Sequence, residues 1–286
     1  MKSKINQLIS DYRQGRIGRR EFMKKMAVLA GGSAVSVGFI SLTGSCAGKT
    51  GGEKKELENA FITYPGHTGD VRAYLSVPRG KKKYPAVIII HENRGLVPHI
   101  MDVNRRMARE GFLALAPDAL SPLGGTPEDD PDRGRTMIGH LDREDTVKDF
   151  VAAVKYLKTH PRSTGRVGCT GFCWGGGMTN QVAVNAPELD AAAPYYGAQP
   201  DPEDVPKIKA SVMAHYAGDD ARINAGIEAF EEALKKAGIE YHIFLYEGAK
   251  HAFNNDSNPD RYHPEAARLA WERTVQFFKE KLGEAK

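Results

Sequence analysis

Residues 85–90 read PAVIII, six apolar residues with no polar alternate. A strand turns successive side chains to opposite faces, so such a run must bury both faces. That calls for a sheet with helices packed on each side, and the rest of the chain reads accordingly. Further strands are expected at 61–64, 71–78, 112–116, 167–170, 191–195, 210–216 and 241–246. Helices are expected around 103–109 and at 145–158, 176–185, 226–237 and 264–281; in the second, Val147, Phe150, Val151, Val154 and Leu157 recur at helical spacing. The stretch 121–139, rich in Gly, Pro and Asp, reads as a long loop. Strands alternating with helices imply an α/β fold with a mostly parallel sheet, whose ligand sites lie at the carboxyl ends of the strands.

The net charge of +4 divides unevenly. Residues 1–49 hold nine Lys/Arg and two Asp/Glu, which leaves the remainder at −3 and gives no support to nucleic-acid binding. A basic start followed by a weakly apolar stretch from Met26 to Leu42 reads as an export signal over residues 1–48. Arg19-Arg20-Glu21-Phe22-Met23-Lys24 resembles the twin-arginine pattern. Residues 49–57 are a polar linker, and 58–286 form the body. The expected location is the periplasm or cell envelope, with membrane contact only through the signal or a lipid on Cys46. The segment Leu42-Thr43-Gly44-Ser45-Cys46 resembles a lipoprotein cleavage box, although its leucine is one place too far from the cysteine.

The chemistry concentrates at 168–178, GCTGFCWGGGM. This reads as strand, tight glycine turn and helix, the layout of a nucleophile elbow with Cys173 at its tip. The helix N-terminus is expected to favour thiolate, and the Trp174 amide to serve as an oxyanion donor. Of three cysteines, Cys46 lies in the signal, and Cys169 is expected as a buried strand residue too far from Cys173 to bridge it. Asp219 and Asp220 follow one later strand, with Asp220 favoured as the acid, and His251 follows the next. Nucleophile, acid and histidine thus stand in the order this architecture uses. After 85–90 comes His91-Glu92-Asn93-Arg94-Gly95, where Asn93 is the candidate for the second oxyanion amide. Glu92 is expected to repel a thiolate or hold the thiol proton until substrate arrives. Arg94, Arg135 and Tyr196 are the substrate-binding candidates, while His91 is expected to brace its loop and His215 to sit satisfied in a strand. The histidines show no metal-like spacing, and no metal or organic cofactor is expected.

Together with Ala116-Pro117-Asp118, Asp220-Ala221-Arg222-Ile223 and His251-Ala252-Phe253, these motifs resemble the dienelactone hydrolase family of α/β hydrolases over residues 58–283. The resemblance implies an α/β-hydrolase fold, a Cys173–Asp220–His251 triad, and a glutamate, here Glu92, that contacts the resting thiol and moves as substrate binds. It also implies arginines for a substrate carboxylate. One would follow the histidine by a few residues, where this chain has Asn254 and Asn255; another would follow the Ala-Pro-Asp strand end, where it has Ala119-Leu120-Ser121. The sequence looks closer to an exported branch of the family. The expected activity is hydrolysis of an activated small-molecule ester or lactone through a thioester, and the competing reading is a catalytically silent envelope binding protein.

Overall fold

A computed structural model describes residues 56–286; the expected signal, Cys46 and most of the linker lie outside them. Eight strands form one sheet: β1 (Leu57–Pro65), β2 (Asp70–Pro78), β3 (Tyr84–Ile90), β4 (Leu113–Pro117), β5 (Ser163–Phe172), β6 (Ala191–Tyr195), β7 (Ser211–Asp219) and β8 (Tyr241–Lys250), in the order β1-β2-β4-β3-β5-β6-β7-β8. β1 pairs with β2, and β2 with β4, antiparallel; every later pairing is parallel. Among the described residues the helices are α1 (Pro98–Arg109), α2 (Pro131–Gly139), α3 (Arg143–Thr159), α4 (Trp174–Asn185), α5 (Ala221–Asn224), α6 (Ile227–Lys236) and α7 (Pro264–Leu282).

All seven residues of β3 are buried. Ile88 and Ile90 pack into a core with Phe150, Val154 and Leu157 of α3, Val182 of α4 and Phe230 of α6. Val87 and Ile89 pack on the opposite side with Ile100, Val103 and Met107 of α1 and Phe277 and Phe278 of α7. The unbroken apolar run therefore meets a helical layer on each face. Burial of each such side chain stabilises the fold by about 1.5–3 kcal/mol.

The stretch 121–139 is not the continuous loop expected. It holds a 3-10 turn at Ser121–Leu123 and helix α2. Asp130 caps α2 by accepting the Arg133 amide at 2.9 Å, and Pro131 stands in its first turn. The helix is short, contains Gly134 and carries no apolar stripe, so periodicity passes over it.

Candidate active site

β5 runs into α4 through the elbow, and Cys173 sits at the turn with φ +58°. This conformation is costly for a residue with a side chain and persists only where the surroundings impose it. Here they do. A Cβ on Gly171 would overlap the Gly175 carbonyl oxygen, and one on Gly175 the His91 carbonyl oxygen, so glycines alone let strand, helix and the loop after β3 close together. The Cys173 amide also donates to the Tyr195 carbonyl at 3.1 Å. The other non-glycine residues with positive φ are Tyr196 (+37°) and Ala252 (+70°), the latter directly after His251. Among the described residues, backbone strain in residues other than glycine is confined to this site.

His251 follows β8, and its Nδ1 bonds Asp220 Oδ2 at 2.5 Å. Asp220 is 8% exposed. Asp219, the last residue of β7, is exposed. A register shift in the β7–β8 pairing between Ala217 and Asp219 precedes the turn into α5, and bulges of this kind re-aim the side chains that follow. With Nδ1 engaged, Nε2 is the ring nitrogen left for chemistry. Cys173 and His251 line one cavity of about 420 Å³ with Asn93, Trp174 and Tyr196. Its walls are Ile138, Leu141, Met178 and Ile223, and two cations, Arg143 and Arg222, stand on its lining.

The sulfur is not the thiolate expected at a helix N-terminus. Its pKa is pushed up to about 11, first by burial and then by the Glu92 carboxylate. The Trp174 amide and the Arg222 guanidinium pull the other way without prevailing. The resting thiol is therefore protonated at neutral pH. Burial also raises the Glu92 carboxyl, opposed by Asn255, Arg94 and Arg261. Glu92 Oε2 accepts Asn255 Nδ2 at 2.6 Å, and no hydrogen bond joins Glu92 to the thiol among the described residues.

The loop bearing Glu92 and Asn93 is braced from below. His91 Nε2 accepts the Ala119 amide at 3.1 Å, so Nδ1 carries the proton and donates to the Glu92 carbonyl at 2.7 Å. Burial lowers the His91 pKa and keeps the ring neutral. Its ring stacks on Trp174 with centroids 5.4 Å apart. Asp118 accepts Thr126 Oγ1 at 2.7 Å, and that oxygen accepts the Leu96 amide at 2.8 Å. The Ala-Pro-Asp motif thus holds the loop that bears Glu92 and Asn93 in place. Cys169 is fully buried and, like Cys173, free; His215 is buried and bonded to Tyr246 and Thr274.

Two sequence candidates stand outside the cavity. Arg94 is exposed and faces Asp132 of α2 at 3.4 Å. Arg135 is exposed on α2, whose cavity-lining residue is Ile138. Arg143 and Arg222 were not singled out as binding residues. Arg222 had a signal, since it lies two residues past the favoured acid; Arg143, at the start of α3, had none. Among the described residues no group of three or more His, Cys, Asp or Glu is arranged to hold a metal.

A sequence model described as the dienelactone hydrolase family matches residues 71–282. A protein of Saccharolobus solfataricus, provisionally named carboxymethylenebutenolidase, is 32% identical over 255 residues, covering 76% of this chain and 97% of its own. The protein named usf of Aquifex pyrophilus is 37% identical over 228 residues, covering 74% of this chain and 94% of its own. A crystal structure provisionally named dienelactone hydrolase, from Klebsiella pneumoniae, superposes with a TM-score of 0.70 at 28% identity, covering 79% of this chain and 99% of its own.

Proposed function

The chain belongs to the dienelactone hydrolase family, and from that premise we propose that it cleaves activated esters or lactones with Cys173 as nucleophile, His251 as base and Asp220 as the orienting acid. At the coarser level it is a hydrolase of carboxylic esters with the α/β-hydrolase fold. As Sγ approaches the substrate carbonyl carbon, His251 Nε2 takes the thiol proton. The S–C bond forms, and the carbonyl electron pair moves onto an oxygen held by the amides of Asn93 and Trp174. Collapse expels the alkoxide or enolate, which receives the proton from His251, and leaves a thioester on Cys173. His251 then deprotonates water, whose oxygen attacks the thioester and releases the acid with return of the thiol.

The choice of sulfur narrows the substrate. A thiolate is a good leaving group, so a tetrahedral adduct with an amide reverts, whereas enol esters, lactones and aryl esters expel their own weakly basic oxygen. The apolar walls beside Arg143 and Arg222 suit an ester with an apolar body and an anionic group. The observation that carries this reading is the 2.5 Å His251–Asp220 bond on the same cavity as the elbow cysteine. Cys173→Ala should lower turnover of p-nitrophenyl butyrate at least about 10³-fold with an unchanged circular dichroism spectrum. Substrate-derived mass should appear on the Cys173 peptide of quenched wild-type enzyme. Substantial turnover by a well-folded Cys173→Ala would end the proposal.

We propose further that this activity lies outside the cytoplasm, in the periplasm or cell envelope, a reading supported by the twin-arginine-like segment. Replacing Arg19 and Arg20 with lysine should retain the protein in the cytoplasmic fraction; unaltered export would refute that location.

A further inference from the structure

A second cavity, of about 890 Å³, adjoins the first, and Arg143 and Ala198 line both. Its walls come from α3, the second half of α4, the β1–β2 turn and the segment after β6. The mechanism above makes no use of it.

Buried polar residues hold these walls. Asp149, on α3, accepts the backbone N–H groups of His67 and Thr68 at 2.6 and 2.9 Å and the Thr68 hydroxyl at 2.6 Å, which pins the β1–β2 turn. Asn180 Nδ2, on α4, donates to the Ala198 carbonyl at 2.8 Å. Gln199 Nε2 donates at 3.1 Å to the carbonyl of Ile223, a wall residue of the first cavity. Residues 198 and 199 are thereby fixed at the boundary of the two cavities, where Ala198 presents only a methyl group.

The two linings differ in chemistry. The second mixes donors and acceptors. Lys148 pairs with Asp145 at 2.9 Å and Lys207 with Asp204 at 2.6 Å, so these charges answer one another. The side chains of Arg143, Lys155, Glu144, Asp201 and Gln181 also line it, and among the described residues they make no hydrogen bond or ion pair. An anion entering here meets Glu144 and Asp201; a cation meets Arg143 and Lys155. A hydroxyl group both donates and accepts, so an uncharged polyhydroxyl ligand matches both sets. Val147 and Val184 add apolar surface, which suits the C–H faces of a sugar ring. The volume lies within the range of small-molecule sites.

We propose that this second cavity binds an uncharged polyhydroxyl group, a glycosyl unit, carried by the same ester or lactone whose scissile bond lies in the first. The proposal rests on the hydrolase reading and extends it to the tail of the substrate.

Esters with matched leaving groups test it on the full-length protein: p-methoxyphenyl butyrate, p-glucosyloxyphenyl butyrate and, as the anionic comparison, p-carboxymethoxyphenyl butyrate. Wild type should hydrolyse the glucosyl ester with kcat/KM about tenfold above the methoxy ester, and Lys155→Ala combined with Gln181→Ala should lower that ratio roughly three- to tenfold, the loss of one or two hydrogen bonds. Ala198→Trp, which fills the boundary, should lower it too and serves if the double variant folds poorly. A ratio near one in wild type, a ratio unmoved by these variants, or a preference for the carboxymethoxy ester overturns the proposal. Saturation-transfer NMR with p-methoxyphenyl glucoside reads the cavity without turnover. Transfer in wild type that is lost in the double variant, with no ester hydrolysed, removes the hydrolase reading and keeps the second site. Hydrolysis of all three esters alike with no transfer removes the second site and keeps the hydrolase.

Discussion

Asp220→Asn is the perturbation with the most determinate consequence. The native carboxylate accepts from His251 Nδ1 at 2.5 Å and is 8% exposed, so water does not replace it when it is lost. A hydrogen bond to a charged group contributes about 1.5–3 kcal/mol, which at 1.36 kcal/mol per decade is roughly 10- to 150-fold in rate. Asparagine does more harm than that bond alone. Its NH₂ donates to Nδ1 and drives the imidazole proton to Nε2, the nitrogen that accepts from the thiol in the proposed mechanism, so the combined loss approaches about 10⁴-fold. Asp220→Ala removes the partner without imposing the wrong tautomer and should fall between these limits. Asp219→Asn should change kcat/KM by less than about twofold, as befits an exposed side chain away from the imidazole. The assay is kcat/KM on a p-nitrophenyl ester with thermal unfolding as the control for folding. Retention of a third of the activity by Asp220→Asn, or an equal loss in Asp219→Asn, would refute the reasoning.

Cys173→Gly should be inactive yet more stable. Glycine adopts φ +58° without strain, and relief of about 1 kcal/mol raises Tm by roughly 2–4 °C in a domain of this size; a lowered Tm would contradict the strain. His215 is fully buried, and burial pushes its pKa down to about 3, below the unfolded value near 6.5. Below pH 6.5 the unfolded chain binds a proton that the folded ring refuses, so His215 removes stability as pH falls toward 3, by up to about 1.4 kcal/mol per pH unit, and has no such effect above pH 7. His215→Gln should flatten the urea stability profile between pH 4.5 and pH 6.5, and an unchanged slope would sink the assignment. Arg222→Met should lower the kcat/KM ratio for an aryl ester bearing a terminal carboxylate over its uncharged analogue by about tenfold, the weight of one charge-assisted contact. A ratio that does not move would show that Arg222 takes no part in recognition.

The fold was legible wherever the signal is local. PAVIII at 85–90 required two covering layers, and α3 showed its face by helical spacing. Gly171 and Gly175 around Cys173 marked a close approach of backbones before the carbonyl groups they accommodate were known. Helix α2 escaped because its only strong marks are a cap and a proline inside a glycine-rich stretch. The sequence favours Asp220 over Asp219 without fixing its partner; the structure adds the bond to His251 and the register shift before it.

The sequence alone determined the layered α/β body, the elbow, and the succession of cysteine, acid and histidine past strand ends, because each depends on residues a few places apart. Tertiary structure alone decided that Arg143 and Arg222 line the cavity while Arg94 faces Asp132, and that burial, ahead of Glu92, raises the pKa of the thiol. Desolvation and charge act through space. They are set by neighbours such as Asn255 and Glu92, which the chain brings together from 163 residues apart.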